Sequence, residues 1–421
     1  MKSDQVKSTF KYALGPGLIL AAAAVGVSHL VQSTRAGAGY GFTLIWAVIL
    51  ANIFKYPFLE YGPRYAIATH KSMISGYKKL GKWALWLFVI FTVGTMFIIQ
   101  AAVTIVTASL AIELTGINLS LLVWSAIILA ICVFLLLRGQ YSALDSSIKV
   151  IMVVLTISTF AAVIAAFTQT SPAQITQAPT IWDVAGVSFL IALMGWMPIP
   201  IDGAAWHSLW SLERIKQTKH TPSMRESLTD FNIGYIGAGI LALAFLSLGA
   251  LVMFDSGVEF SSSGAGFAKQ LVGLYTQSLG EWAHWIIIIC AFTTMFSTTL
   301  SVTDAYPRVS REIISVIRDR ESEDAEETAI FSYKWLLISI SVLSLLVLYI
   351  TGSRFTFMVD LATTLSFLTA PILAFINYRL VMHEHFPKEH RPPRWLQWLS
   401  WGGILFLSGF ALLYIYWQFS Y

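Results

Sequence analysis

The sequence has 421 residues, of which 56% are apolar and only 12% charged, with a formal net charge of +4. Soluble domains carry about 25% charged residues, so a soluble globular chain is excluded. The apolar residues come in runs of about 20, the length that crosses a hydrocarbon core of about 30 Å, and the chain reads as an all-α polytopic membrane protein.

The opening stretch MKSDQVKSTFKY is polar and has no cleavable signal pattern. Eleven spans follow, over about 12–38, 41–66, 83–112, 119–137, 145–168, 184–210, 231–254, 282–306, 333–351, 355–379 and 397–417. They make one transmembrane domain over 1–421: spans 1–5 (about 12–168), spans 6–10 (about 184–379) and an extra span 11 at about 397–417.

Basic residues set the orientation. Lys2, Lys7 and Lys11 precede span 1, and Lys71, Lys78, Lys79 and Lys82 follow span 2. Arg214, Lys216, Lys219 and Arg225 follow span 6; Arg308, Arg311, Arg318 and Arg320 follow span 8; Lys388, Arg391 and Arg394 follow span 10. With eleven spans all of these share one side, while the other side has Lys269 and Arg354 and the link 168–183 has no basic residue. The expectation is an integral protein of a plasma or bacterial inner membrane, with its N-terminus in the cytoplasm and its C-terminus outside. Topology accounts for the basic loops, so the partners expected are the lipid bilayer and a small inorganic ion, with no nucleic acid and no obligate protein partner. The segment from Arg318 to Glu327 reads as a solvated loop, and Cys132 and Cys290 read as small core residues without disulfide or zinc spacing.

Two spans are interrupted. In span 1 the apolar run breaks at GVSH, Gly26 to His29. In span 6 the stretch GWMPIPIDGAAWHS places Pro198, Pro200 and Gly203 at mid-membrane, where each proline removes a backbone donor and clashes one turn back. Freed backbone groups are tolerated at this depth only where they line a buried or wet cavity. Spans 1 and 6 are five apart, and matched interruptions in two halves point to a midplane binding site in a 5+5 inverted repeat.

The same residues carry a family resemblance. LGPG, the broken helix and AGAGYGFTLIWAVILAN resemble the first two helices of the Nramp (natural resistance-associated macrophage protein) metal-ion transporters. TASLAIELTGINL resembles the end of their third helix, HSLWSLER the end of the sixth, STTLSVTDAY the eighth and DLATTLSFLTAPILAF the tenth. The resemblance implies the leucine-transporter-like fold with broken helices 1 and 6 and alternating access. The family's Asp-Pro-Gly-Asn, which holds the metal, falls on Gly26, Val27, Ser28 and His29. Its metal-binding Met falls on Pro200 in one alignment and on Met197 in another, and Asp202 takes the place of a family His. The proton-route carboxylates of the third helix fall on Gln100 and Val103. This chain therefore resembles a divergent member without the usual metal-binding motif.

Two readings of the site stand. Ser28, His29, Asp202, His207 and Met197 would make an altered divalent-metal site for manganese, iron or magnesium, since softer ions accept imidazole and sulfur. The favoured reading is a small anion such as bicarbonate. Half-helix N-termini at the breaks favour negative charge, the family's Asp has become Gly26, His29 can donate, and Arg35 suits a planar carboxylate-like group. Trp206 completes the candidate set. No resident cofactor is expected beyond sodium as a coupling ion, held by the Val25 carbonyl with Thr298, Ser301 and Asp304; such coupling fits an anion, whose entry against a membrane potential costs about 2.3 kcal/mol per 100 mV. Lys55 and Glu60 in span 2 are five apart and do not share a helix face, while Glu60 with Arg64, and Asp145 with Lys149 in span 5, are four apart and read as structural ion pairs, and Trp395, Trp398 and Trp401 as an interfacial belt. A receptor built on a transporter scaffold is the reading from another class. No arrangement of catalytic residues suggests an enzyme.

Overall fold

A computed structural model describes residues 15–139, 141–169, 179–254, 256, 259–318 and 325–420. The N-terminal lysines, the link 170–178, most of the segment from Arg318 to Glu327 and the side chains of Asp145 and Lys149 lie outside the described residues. The described chain is helical, with no strand.

Span 1 is split into α1 (Pro16–Ala24), a π-helical turn (Ser28–Ser33) and α2 (Thr34–Tyr40), with a bend of 44° between the two parts. Pro16 suits the first turn of α1 because it needs no donor there. The Asp230 carboxylate, reaching across from α10 (Met224–Val252), accepts from Gly17 N at 2.6 Å and Gly15 N at 3.2 Å, so the free donors of that helix start are capped. Span 2 is α3 (Ile45–Thr69), which runs on through Pro57 and Pro63. The other spans are α5 (Lys82–Thr115), α6 (Leu121–Leu137), α7 (Tyr141–Gln169), α10 (Met224–Val252), α12 (Ala283–Ile317), α13 (Ala325–Ile350), α14 (Phe355–Met382) and α15 (Arg394–Ser420), with span 6 split into α8 (Val184–Gly195) and α9 (Gly203–Thr218).

Six of these helices are long and apolar enough to cross a membrane by themselves, and the bent pair of span 1 makes a seventh. The others fall short for local reasons: α3 carries Lys55, Glu60 and Arg64, α6 has only 17 residues, and α8 ends at the proline-rich break.

Two helices are absent from the span list read off the sequence. They are α4 (Met73–Leu80), after span 2, and α11 (Gly264–Leu279), after span 7. Both are short and one-sided, with Met73, Ile74 and Tyr77 buried on α4 and Phe267, Leu271 and Tyr275 on α11, so neither forms a long apolar run. Their matching places support the 5+5 repeat. Helices α2 and α10 cross closely because a β-carbon on Gly37 would lie 2.0 Å from the Leu246 carbonyl oxygen; small residues let backbones approach in this way. Cys132 and Cys290 are free and buried.

Candidate functional site

Both breaks are backbone features first. After Ala24, Val25 leaves helical geometry and the helix resumes around Gly26, whose carbonyl accepts from His29 and Leu30. In the other half, the segment between Gly195 and Gly203 holds two prolines and frees the carbonyls at the end of α8. The breaks meet: Ser28 Oγ lies 3.3 Å from the Pro198 carbonyl oxygen.

A cavity of about 20 Å³, room for about one water-sized occupant, lies between them. Ala24, Val27 and Ser28 line it from the first break, Trp196, Pro198, Ile199 and Pro200 from the second, with Val103, Trp206 and Thr298 closing it. The polar side chains in this wall are neutral. Val103, at one of the positions where the family carries a proton-route carboxylate, is part of it. Gln100, at the other, donates to Thr104 and Thr303 at 3.2 and 3.0 Å.

Of the eight substrate candidates, Ser28 and Trp206 line this cavity. His29 does not. Its Nε2 donates to the Ala238 carbonyl at 2.8 Å, which makes Nδ1 of the neutral ring an acceptor 2.7 Å from Ser28 Oγ. Arg35 is also directed elsewhere. Its guanidinium grips Asp360 of α14, donates to Gln32 at 3.1 Å and packs over the Phe189 and Phe260 rings. Asp360 lies 325 positions further along the chain, in span 10, a partner that spacing did not offer. Gly26 packs against Thr298, and Met197 is fully buried beside the cavity. Asp202 is buried at the head of α9, where a negative charge suits a helix start. His207 is buried against Phe231, with neither ring nitrogen hydrogen-bonded.

The sodium candidates divide too. Thr298 Oγ1 lies 2.9 Å from Ala22 O, 3.2 Å from Thr294 O and 3.4 Å from Val25 O, so four oxygens converge between α1 and α12. Ser301 is buried on the same helix. Asp304 is turned away, accepting from Arg308 Nε and Tyr333 Oη at 2.6 Å each. Among the described residues, no three His, Cys, Asp or Glu side chains are grouped as metal ligands would be.

Spacing did not single out the most unusual residue at the site. Lys55 of α3 is fully buried. Its ammonium donates to the carbonyls of Met194 and Gly195 at 2.7 Å each and reaches Ile199 O at 3.4 Å. Its partners are the groups that the second break frees. A clue lay in its place, mid-span and five residues from Glu60, which is out of register for a pair on one helix face. Glu60 is taken by Arg64, whose Nε donates to it at 2.8 Å.

Two wider open pockets lie toward the helix ends. One, of about 680 Å³, gathers Lys71, Lys78, Lys79, Lys216, Arg308 and Arg311 around Glu213 and Glu312, so the basic loops after spans 2, 6 and 8 share one side. The other, of about 620 Å³, is lined by Arg35, Tyr40, Phe189, Glu259 and Phe260.

The chain matches the natural resistance-associated macrophage protein-like (Nramp) family over residues 17–417. It belongs to the Nramp family. An uncharacterized protein of Pasteurella multocida is 36% identical over 409 residues, 96% of this chain and 92% of that protein. Among solved structures, an Eremococcus coleocola manganese transporter superposes with a TM-score of 0.68 at 14% identity, covering 97% of this chain and 86% of that one. MhsT, solved with L-phenylalanine, gives 0.61 at 15% identity over 94% and 98%. MHP1, a nucleobase-cation-symport-1 family transporter, gives 0.61 at 14% identity over 96% and 93%. These likenesses show the leucine-transporter-like fold, and with the apolar helices the family makes this chain an integral membrane transporter.

Proposed function

We propose that the chain is an alternating-access secondary transporter of a small inorganic anion, of which bicarbonate is the reference case, moved together with a cation. One observation carries this reading. Among the described residues no carboxylate lines the midplane cavity, while the Lys55 ammonium stands behind its wall, bonded to carbonyls rather than to an acid. Ile199 both lines the cavity and reaches Lys55, so cavity and charge are about one side chain apart. At about 10 Å and an effective dielectric of about 20, a unit charge is repelled by roughly 2 kcal/mol, and a divalent ion by twice that. An anion gains what the metal loses. The basic pocket adds a field that draws anions to the site.

The converging oxygens of Ala22, Val25, Thr294 and Thr298 supply a place for sodium as the coupling ion, an all-oxygen set of the kind that hard cations take. Asp304 stands outside that set.

The second reading is a divalent-metal transporter with an altered site, favoured by the family and by the manganese transporter of the same fold. It would use Asp202, Met197 and His207 around the second break. Uptake into proteoliposomes of labelled bicarbonate and of manganese, with and without a sodium gradient, separates the two. Sodium-dependent bicarbonate uptake is expected. Saturable manganese uptake abolished by Asp202→Ala would overturn the anion reading.

A further inference from the structure

Lys55 is more than a fixed charge. A lysine ammonium has three donors, and here three carbonyl oxygens of the second break receive them. Two of the three belong to the last residues of α8; the Met194 carbonyl also accepts from Met197 N at 3.3 Å, and past the break no helical turn continues to supply further donors. The ammonium thus fills the place of a bound cation, tethered to α3 by its own side chain. Burying it without acceptors would cost several kcal/mol.

Few charged groups face it. Asp202 is buried at the head of α9. On α3 itself, Glu60 is closed on Arg64. His207 of α9 packs on Phe231, Tyr235 of α10 donates to Asn52 O, and Tyr378 of α14 packs on Trp401. The α8 sequence has no titratable residue.

We propose that Lys55 is a proton-carrying site of the transport cycle, so that each anion crosses with a proton on this side chain. Alternating access rearranges the broken helix against its neighbours. With the Met194 and Gly195 carbonyls in place, the ammonium is satisfied and its charge offsets that of the anion. When they part from α3, the ammonium loses its acceptors and its N–H bond breaks: Lys–NH3⁺ becomes Lys–NH2, and the proton passes to water. The anion then leaves a site that no longer carries positive charge. Lysine can do this; arginine, which holds its proton at any working pH, cannot. The proposal takes the anion from the reading above, but the proton site stands on the geometry around Lys55.

Two measurements on the full-length protein test it. The first is ¹⁵N NMR of lysine Nζ in detergent-solubilised protein, wild type against Lys55→Arg. One resonance missing from the variant is expected to pass from ammonium to amine between pH 5 and pH 10; an ammonium signal unchanged over that range overturns the proposal, whatever the substrate. The second uses labelled bicarbonate in proteoliposomes. Lys55→Arg is expected to keep bicarbonate counterflow within about threefold of wild type and to lose net uptake at least tenfold, since exchange needs no proton release. Net uptake by Lys55→Arg within twofold of wild type overturns it. Lys55→Met, with no charge, is expected to lose both; monodisperse elution of each variant shows that it has folded. Absence of bicarbonate uptake by the wild type counts against the anion reading and leaves the NMR result to decide on Lys55.

Discussion

Arg35 and Asp360 hold the two halves of the fold together through two parallel bonds, Nη1 to Oδ1 at 2.6 Å and Nη2 to Oδ2 at 3.2 Å. Gln32 joins them, donating to Asp360 at 3.1 Å and to Thr363 at 3.3 Å. Bidentate charge-assisted pairs are the strong ones, but this one is partly open, with the Asp360 side chain 37% exposed. A double-mutant cycle of Arg35→Ala and Asp360→Ala, read by thermal unfolding in detergent, is expected to give a coupling of about 1 kcal/mol. The charge swap Arg35→Asp with Asp360→Arg should recover transport that either single change loses. A swap no better than the single variants would count against a pair that acts as a unit.

His29 is predicted to support the break rather than bind substrate. His29→Ala would orphan the Ala238 carbonyl and open a void in a fully buried place. The expected loss is about 2–4 kcal/mol of stability. Transport by the surviving folded fraction should show a nearly unchanged KM, measured as concentration-dependent uptake. A KM raised more than tenfold would return His29 to the binding site.

Gly26 is predicted to be intolerant of any side chain. A β-carbon there would lie 2.7 Å from Thr298 Oγ1 and 2.8 Å from its Cγ2. Gly26→Ala should therefore lower sodium-dependent uptake at least tenfold by pushing the first break off α12. Adding Thr298→Ala removes both clashing atoms and is expected to restore the melting temperature in part. It should not restore sodium dependence, because it also removes a proposed sodium ligand.

Acid is predicted to loosen the loop after α14. His383 and His385 face each other there, Nδ1 to Nδ1 at 2.6 Å, and the Tyr65 hydroxyl lies 3.1 Å from His385 Nε2. Burial first, then the charges of His383 and Lys79, pushes His385 down to about 4. A histidine that is harder to protonate when folded binds fewer protons than the unfolded chain over the window between about 4 and its ordinary value of about 6.5. Its contribution is full above that window and is lost as pH falls through it. The melting temperature should drop on going from pH 7 to pH 4.5, and by less in His385→Gln. An equal drop in both proteins would exclude His385 as the cause.

Much of this protein follows from its sequence because the bilayer is a demanding solvent. Apolar runs of membrane length mark spans without reference to neighbours, and Pro198, Pro200 and Gly203, crowded within six residues, break their helix, whereas the more widely spaced Pro57 and Pro63 leave α3 continuous. The basic loops after spans 2, 6 and 8, grouped by counting spans, do meet at one pocket. The Nramp resemblance, read from GVSH and its flanking motifs, agrees with the family match over residues 17–417. Helices α4 and α11 escaped because they are too short and too polar on one side to signal a span.

Side-chain direction at the breaks was settled only by the tertiary structure. A regular helix has a period that predicts its faces, but residues 25–27 and 196–202 have none. Spacing therefore could not say that His29 turns to Ala238, that Arg35 finds Asp360 in the other half, or that Lys55 reaches the freed carbonyls of α8. Each of those partners lies more than 130 positions away along the chain. Burial alone makes such partners obligatory, since a charge or donor in the membrane interior must find one, and the packing of helices decides which.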